Sequence, residues 1–361
     1  MPESEPKPVP GVLEKIREIA LPSPVLALDV EPDGRTLYAG GHDGALAIIP
    51  VESGAPELVP RHNSYCSGVR RVPGTPWVVT GGYDGRLCWT DVGSRSLVRE
   101  VRAHDFWSWD LAVSTDGRWI ASVTGRYEAG GYRYEPAPGR ELGVRVFDAA
   151  TGAMHRSWDH IPPVQSVALS PDGRFVAAGN LMGEVRVWDR DANTLASSWR
   201  DDGLTSWGVI KSHHFLGGIF SMMFSPNGKD LYVCGMGPMV DPMAGNGVQR
   251  WQRFDWRTGK RLDQTHDGES GQGLMEALAF HPDGTRFAMA GRLFQGTWNL
   301  ALFDSGNGKN LHAVDAKHRI TGLKFSPDGS RLFLSKARGQ EKPKDGRWKE
   351  SGLVEIYTVR G

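Results

Sequence analysis

Cysteine is scarce in this chain, net charge is absent, and no apolar run is long. Its 361 residues include only Cys66, Cys88 and Cys234, whose spacing fits neither a zinc site nor a disulfide framework and suits a reducing compartment. The 42 basic and 42 acidic side chains balance, which argues against a nucleic-acid partner. No segment approaches the roughly 20 apolar residues of a membrane helix, and residues 1–10 lack the apolar core of a secretion signal. We expect a cytoplasmic protein without membrane contacts.

Catalytic sequence motifs are missing as well. There is no Gly-x-Ser-x-Gly nucleophile turn, and no Gly-Lys is followed by the Ser or Thr that a phosphate loop requires. The glycine-rich segment 235–247 does not follow the Gly-x-Gly-x-x-Gly pattern of dinucleotide sites. We therefore predict no enzyme activity, no cofactor and no metal.

Glycine and proline are abundant, with 46 and 23 residues, and they punctuate a phrase that recurs along the chain. The clearest copy runs from Val167 to Gly179 and reads Val-Ala-Leu-Ser-Pro-Asp-Gly-Arg-Phe-Val-Ala-Ala-Gly. The turns of the seven copies are Asp33-Gly34, Pro73-Gly74, Asp116-Gly117, Asp172-Gly173, Asn227-Gly228, Asp283-Gly284 and Asp328-Gly329. A repeat of this kind indicates supersecondary units that bury their apolar faces only against their neighbours.

Each repeat predicts four short antiparallel strands separated by turns. Four-stranded units that recur at about 40–45 residues, with insertions in the middle of the chain, are typical of propeller blades. We predict an all-β fold: a seven-bladed β-propeller of four-stranded antiparallel blades. The last repeat ends one strand short, so we expect Ile16–Leu21 to pair with Leu353–Thr358 and close the ring. Residues 12–361 would form one domain after a disordered Pro-rich tail, residues 1–11.

These repeats resemble those of the WD40-repeat family over nearly the whole chain from about residue 12. The Trp-Asp ending occurs at Trp188-Asp189 and weakens to Phe-Asp in other copies. The family often links a His, a Ser or Thr, an Asp and a Trp by hydrogen bonds within a blade, and the second repeat offers His62, Thr80, Asp84 and Trp89. The resemblance implies hydrogen-bonding rather than metal-binding roles for the histidines that precede first strands. It also implies a fold used by scaffolds, receptors and a few enzymes.

The insertions fall on one side of the predicted ring. In a propeller of this kind the loop between the second and third strands and the loop leading into the first strand open on one face, which we name the loop face. The other turns open on the opposite face, the turn face, and they stay short. Long loops on a rigid scaffold commonly carry binding residues. The candidates for a partner-binding face are Trp107, Trp109, Tyr132, Tyr134, Trp207, His213, His214, Met239, Asp241, Arg292, Gln295, Trp298 and Trp348.

Aromatic, Met and Arg side chains are enriched at the cores of protein interfaces. We therefore predict a non-catalytic interaction scaffold, monomeric by itself, that binds a protein or peptide on its loop face. The alternative is a propeller enzyme, a hydrolase or lyase, with a polar or metal-bearing pocket in the central channel. A broad aromatic surface would favour the scaffold, and a deep funnel with several close carboxylates would favour the enzyme.

Overall fold

The computed structural model of the chain describes residues 12–126, 142–207, 215–241, 246–338 and 351–360. In these ranges the chain forms strands joined by turns and loops, and it contains no helix long and apolar enough to cross a membrane. The predicted tail, residues 1–11, lies outside the described part.

Seven units of four antiparallel strands follow one another along the chain, and we number them as blades; five are separate sheets, and blades 5 and 6 are joined into one eight-stranded sheet. Blade 1 consists of β2 Val25–Val30, β3 Thr36–Gly41, β4 Ala45–Pro50 and β5 Glu57–Pro60. Blade 2 consists of β6 Cys66–Arg71, β7 Trp77–Gly82, β8 Arg86–Asp91 and β9 Leu97–Arg102. Blade 3 consists of β10 Asp110–Val113, β11 Trp119–Val123, β12 Val144–Asp148 and β13 Met154–Trp158. Blade 4 consists of β14 Val164–Leu169, β15 Phe175–Asn180, β16 Glu184–Asp189 and β17 Thr194–Arg200.

A small hairpin, β18 Thr205–Trp207 with β19 Phe215–Gly217, precedes the last three blades. Their strands are β20 Ile219–Phe224, β21 Asp230–Asp241, β22 Asn246–Asp255 and β23 Lys260–Gln264 in blade 5; β24 Gln272–Phe280, β25 Arg286–Gln295, β26 Leu300–Asp304 and β27 Asn310–Val314 in blade 6; and β28 Arg319–Phe325, β29 Arg331–Ala337, β30 Gly352–Arg360 and β1 Val12–Leu21 in blade 7. The predicted seven-bladed, four-stranded architecture is confirmed.

The N-terminal strand closes the ring. β1 pairs antiparallel with β30 from Val12↔Arg360 to Leu21↔Gly352, so blade 7 takes its outer strand from the start of the chain. On the other side of blade 7, the first strand β28 contacts the first strand β2 of blade 1. The predicted pairing of Ile16–Leu21 with Leu353–Thr358 is therefore confirmed, and it extends further at both ends.

The hydrophobic core is divided into seven clusters, each between two adjacent blades. Tyr38 of blade 1, for example, shares a cluster with Val69 of blade 2, and Ile49 of blade 1 shares one with Val354 of blade 7. Each sheet thus buries both faces against its neighbours, as expected for units that are not stable alone.

The repeated Ser-Pro-Asp-Gly phrase forms the turn between first and second strands. The Ser170 hydroxyl donates to Asp172 and accepts a 2.9 Å bond from the Phe175 amide, while Gly173 adopts a φ of 68° that favours glycine. Ser114, Ser225 and Ser326 accept the equivalent bond in blades 3, 5 and 7. The sequence repeat is therefore a repeat of local hydrogen bonds, which explains why the seven copies can be recognised without any tertiary information.

Three of the histidines before first strands, His62, His104 and His160, form bonds within their blades, as the resemblance implied. His62 contacts Thr80 Oγ1 at 2.8 Å and Asp84 Oδ1 at 3.0 Å. In blade 3, His104 contacts Ser122 at 2.8 Å. Trp89 does not join the blade 2 network, and this part of the prediction is wrong. It pairs across from Val79, on the opposite face of the sheet from Thr80, and its indole donates to the Ala149 carbonyl at 3.0 Å.

His160 occupies the same place in blade 4, and it provides a test by pH. Because Ala178 replaces the Ser or Thr, the His160 Nε2 contacts the Ala178 carbonyl at 3.2 Å instead. Burial lowers the pKa of His160 from 6.5 to about 3, so the folded protein holds the ring neutral. Between those values the unfolded chain binds a proton that the folded chain does not. The buried neutral ring therefore makes its full contribution to stability above pH 6.5, and this contribution is lost as the pH falls towards 3.

As the pH falls from 6.5 to 5, we expect the free energy of unfolding to decrease by about 2 kcal/mol because of His160. The variant His160→Gln, which does not titrate, should show a correspondingly shallower dependence. Urea unfolding of both proteins at pH 5, 6 and 7 measures the difference. Parallel curves for the two proteins would contradict the assignment of a buried neutral imidazole.

Candidate functional site

In six of the seven blades, a β-bulge turns one side chain of the first strand into the loop-face mouth of the central channel. In six blades the pairing of first and second strands skips one residue, as between Val25 and Ala27. The skipped residues, all of which line the channel, are Leu26, Ser67, Gln165, Phe220, Glu276 and Thr321. Trp109, which precedes β10, lines the same mouth from blade 3. Bulges commonly re-aim side chains at functional edges of sheets.

An ion pair lies at this mouth. The guanidinium of Arg319 donates three bonds of 2.7 to 2.9 Å to the two carboxylate oxygens of Glu276. Burial alone would lower the pKa of Arg319, but the Glu276 carboxylate raises it, so the guanidinium stays charged. Such a two-oxygen contact fixes the orientation of both side chains.

Beside this ion pair, six aromatic side chains from the first three blades form a continuous cluster, which we name the aromatic ridge. Its members are His42, Tyr65, Tyr83, Phe106, Trp107 and Trp109. Neighbouring rings lie 4.2 to 5.5 Å apart between centroids. His42 stacks on Tyr65, and Tyr83 stacks on Trp107, with planes within 9° of parallel. Arg126 of blade 3 ends the ridge, 5.1 Å above the Phe106 ring.

The ridge is pre-ordered and partly exposed. Trp107 exposes 38% of its surface, and Tyr65, Tyr83, Phe106 and Trp109 are half-buried. Burial raises the pKa of Tyr83 to about 12, so its hydroxyl stays protonated. Burial, together with the charge of Arg319, lowers the pKa of His42, so this ring is neutral at pH 7. The ridge therefore presents rigid, uncharged aromatic surface beside a charged pair.

The candidate residues for the partner-binding face lie in different parts of the structure. Trp107 and Trp109 lie together in the ridge. The half-buried Met239 and the exposed Arg292 and Gln295 lie on extensions of blades 5 and 6. Trp207 and Asp241 end β18 and β21. The remaining candidates lie outside the described residues: Tyr132, Tyr134, His213, His214 and Trp348.

The extensions of blades 5 and 6 join into one sheet. β21 and β22 continue past the blade to pair Asp241 with Asn246, and β24 and β25 pair as far as Gln272↔Gln295. β22 also pairs with β24, through Gly247↔Gly273 and Val248↔Gln272. Val240 and Phe294 on these hairpins are 49% and 48% exposed. The described inserted residues of these two blades, as far as Asp241 and from Asn246 in blade 5 and as far as Gln295 in blade 6, thus extend the strands on the loop face.

Trp298 needs correction as a contact residue. It is 4% exposed, and it packs in the core between blades 5 and 6 with Trp251, Met275 and Phe303. Its indole nitrogen donates to the Glu269 carbonyl at 2.9 Å. Trp298 lies in the loop just before β26, but its side chain packs into the core instead of facing a partner.

Sequence reasoning missed His42, Tyr65, Tyr83 and Phe106. A signal was available, because His42 and Tyr83 occupy the same repeat position, immediately before Asp43-Gly44 and Asp84-Gly85. Tyr65 and Trp107 also correspond, each three residues after a histidine, His62 or His104. Comparison of the repeats by position, rather than by loop length, would have brought these residues together.

The channel carboxylates are each engaged by other groups. Asp29 accepts the Arg71 amide at 2.7 Å, Asp110 accepts the Val167 amide at 3.1 Å, and Glu276 is held by Arg319. In the described ranges, no group of three or more His, Cys, Asp or Glu side chains is placed to hold a metal ion. Aromatic contact is the chemistry that this mouth offers most directly.

Comparison with known proteins agrees with the architecture. The family model described as "WD domain, G-beta repeat" matches residues 155–189, which cover most of blade 4. The chain is 30% identical over 203 residues to WD repeat-containing protein 90 of Xenopus tropicalis, a match that covers 55% of this chain and 9% of that protein.

Two relatives from Arabidopsis thaliana are also similar. The identity is 25% over 184 residues to WD repeat-containing protein VIP3, covering 49% of this chain and 50% of that protein. It is 23% over 242 residues to Cell division cycle 20.1, cofactor of APC complex, covering 60% and 52%. The chain thus spans about half, or much less, of the length of the relatives that it matches. The match to the WD repeat model and the similarity to WD repeat proteins support the assignment of the seven-bladed architecture to the WD40-repeat type of β-propeller.

Proposed function

We propose that this chain is a protein-interaction scaffold that binds a protein or peptide on its loop face, across the aromatic ridge and the Arg319–Glu276 pair. WD40 domains generally act as non-catalytic scaffolds for other proteins, and the exposed aromatic surface of the ridge supports the loop face as the binding surface. The observation that carries the proposal is the stack from His42 to Phe106, in which the exposed Trp107 packs on Tyr83 and Trp109 of the channel mouth.

The energetics support a binding role. Large aromatic side chains that are already ordered lose little conformational entropy when a partner binds, and they offer large areas for burial. Trp, Tyr and Arg dominate the few residues that carry most of the free energy of protein–protein binding. The ridge combines all three types within three adjacent blades.

Peptides selected from a random 12-residue phage library on the immobilised full chain test the proposal. We expect the double variant Trp107→Ala/Arg126→Ala to raise the Kd of the selected peptides about 30-fold or more, because truncation of an interface anchor costs about 2 kcal/mol or more of binding free energy. Isothermal titration calorimetry measures the affinities, and the melting temperature of each variant confirms that it is folded.

A matched control lies away from the loop face. Arg174 lies 5.1 Å above the Phe175 ring at the turn face, the same distance as Arg126 above Phe106, and Leu195 is 52% exposed on an outer strand. The variant Arg174→Ala/Leu195→Ala should bind the peptides like the unmodified chain. Equal losses in both double variants, or none in the ridge variant, would contradict the proposal.

A further inference from the structure

The channel that the seven blades enclose is a cavity of about 760 Å³, lined by the first strands of all seven. This volume falls within the range of small-molecule sites. In the middle of the channel, below its loop-face mouth, the side chains on one side differ in chemistry from those on the opposite side.

One side of the channel is charged. Blades 7, 1, 2 and 3 contribute Lys324, Asp29, Arg70 and Asp110 in that order. Lys324 Nζ lies 3.2 Å from Asp29 Oδ1, and Arg70 Nη2 lies 3.4 Å from Asp110 Oδ1. The four groups therefore form two ion pairs on adjacent blades.

The carboxylates of these pairs are committed to the backbone. Asp29 accepts amide hydrogens from Val30 at 3.0 Å and from Arg71 at 2.7 Å, one on each oxygen. Asp110 likewise accepts from Leu111 at 2.8 Å and from Val167 at 3.1 Å. Each carboxylate thus ties its own blade to the next one.

The two cations of these ion pairs, Lys324 and Arg70, retain hydrogen-bond donors for a further partner. An ammonium has three donors and a guanidinium has five. Among the described residues Lys324 forms its ion pair with Asp29, and its side chain is 35% exposed although it lines the channel. Arg70 donates to the Val69 carbonyl at 2.8 Å and reaches Asp110 only at 3.4 Å, with 25% exposed. Both cations can therefore donate further bonds into the cavity.

The opposite side of the channel is apolar. Blades 4, 5 and 6 line it with Ala168, Met222, Met223, Leu278, Ala279 and Phe280. Met223 and Phe280 are only half-buried, so part of their apolar surface faces the cavity. Methionine side chains adapt their shape to irregular apolar ligands.

We propose that the channel binds an organic anion with one charged head group and an apolar body. The head group accepts hydrogen bonds from Lys324 and Arg70, and the body packs on the methionine and phenylalanine side chains of blades 5 and 6. The ligand enters from the turn face, where the rim consists of Pro32, Pro73, Thr115, Pro282 and Pro327. This site lies in the same channel whose loop-face mouth is lined by Tyr83 and Trp109 of the aromatic ridge, but it uses other residues.

Three probes with the same eight-carbon body test the proposal: octanoate, octanol and octylammonium, each titrated calorimetrically into the full chain. We expect one octanoate per chain, bound at least about tenfold more tightly than either of the others, because only octanoate matches the cations. Absence of octanoate binding, or equal binding of octanol, would overturn the proposal.

Variants locate the bound probe. Lys324→Gln should weaken octanoate binding at least about tenfold, whereas Lys324→Arg should retain binding. Lys229→Gln, on an exposed turn, should leave the affinity for octanoate unchanged. If Lys324→Gln does not fold, Met223→Gln decides, because it should weaken octanoate and octanol alike. Undiminished octanoate binding in a folded Lys324→Gln or Met223→Gln chain would overturn the site.

Discussion

Deletion of residues 1–22 is expected to abolish cooperative folding or cause aggregation, whereas deletion of residues 1–10 should leave stability nearly unchanged. The longer deletion removes β1, whose Leu13, Ile19 and Leu21 are each 4% exposed. Burial of three such side chains contributes on the order of 5–9 kcal/mol, which is comparable to the whole stability of a domain. The deletion also leaves the full edge of β30 unpaired, and an unpaired edge promotes association between chains.

Contacts beyond blade 7 add to this effect. Arg17 of β1 donates to the carbonyls of Val51, Glu52 and Ser53, at 2.6, 2.6 and 2.9 Å, in the turn between the third and fourth strands of blade 1. β1 therefore secures two blades at once. Thermal unfolding with size-exclusion chromatography of both truncations measures the outcome, and a longer truncation that melts like the full chain would contradict the role of β1 in closure.

Glu355→Gln is expected to lose about 3–5 kcal/mol of unfolding free energy, because it leaves a buried lysine without its counter-charge. Lys336 is fully buried on β29 and lies 2.9 Å from Glu355, which is itself 2% exposed. Tyr357 donates to the same carboxylate at 3.1 Å, and Lys15 of β1 contacts it at 3.3 Å. Burial lowers the pKa of Lys336, so loss of the carboxylate favours the neutral amine.

A matched control lies in the same blade. Glu14 and Arg360 form a 2.8 Å pair between β1 and β30, with side chains 55% and 69% exposed. Glu14→Gln should change stability by less than about 1 kcal/mol, because solvent screens exposed pairs. Chemical denaturation of the two variants provides the comparison, and equal losses would show that burial of the Lys336–Glu355 pair does not matter.

The architecture was predictable because its signals are local. The Ser170–Asp172–Gly173 turn depends on bonds within six residues, so its repetition is visible in the sequence alone. Ring closure followed from counting strands. The position of Trp89 was not predictable in this way, because a shift of one residue along β8 reverses the face on which the side chain lies.

The candidate site was predicted only in part. Trp107 and Trp109 stood out as aromatic residues in an inserted loop. Tyr65 and Tyr83 did not, because their importance arises from stacking on His42 and Trp107 of the neighbouring blades. Trp298 was misplaced for a related reason: an aromatic residue near the end of a loop can pack into the core beside the following strand. The channel wall formed by Lys324, Asp29, Arg70 and Asp110 joins residues from four repeats, and no single repeat reveals it.

Hydrogen–deuterium exchange of the full chain, with and without a library-selected peptide, tests the central proposal most directly, because it maps the bound surface without substitutions. We predict slower exchange in segments 62–67, 83–88 and 104–110, which carry or flank the ridge residues of blades 2 and 3. The turn-face segments 171–175 and 226–230 should exchange as before. Protection confined to the turn face or to the outer strands would contradict a binding site on the aromatic ridge.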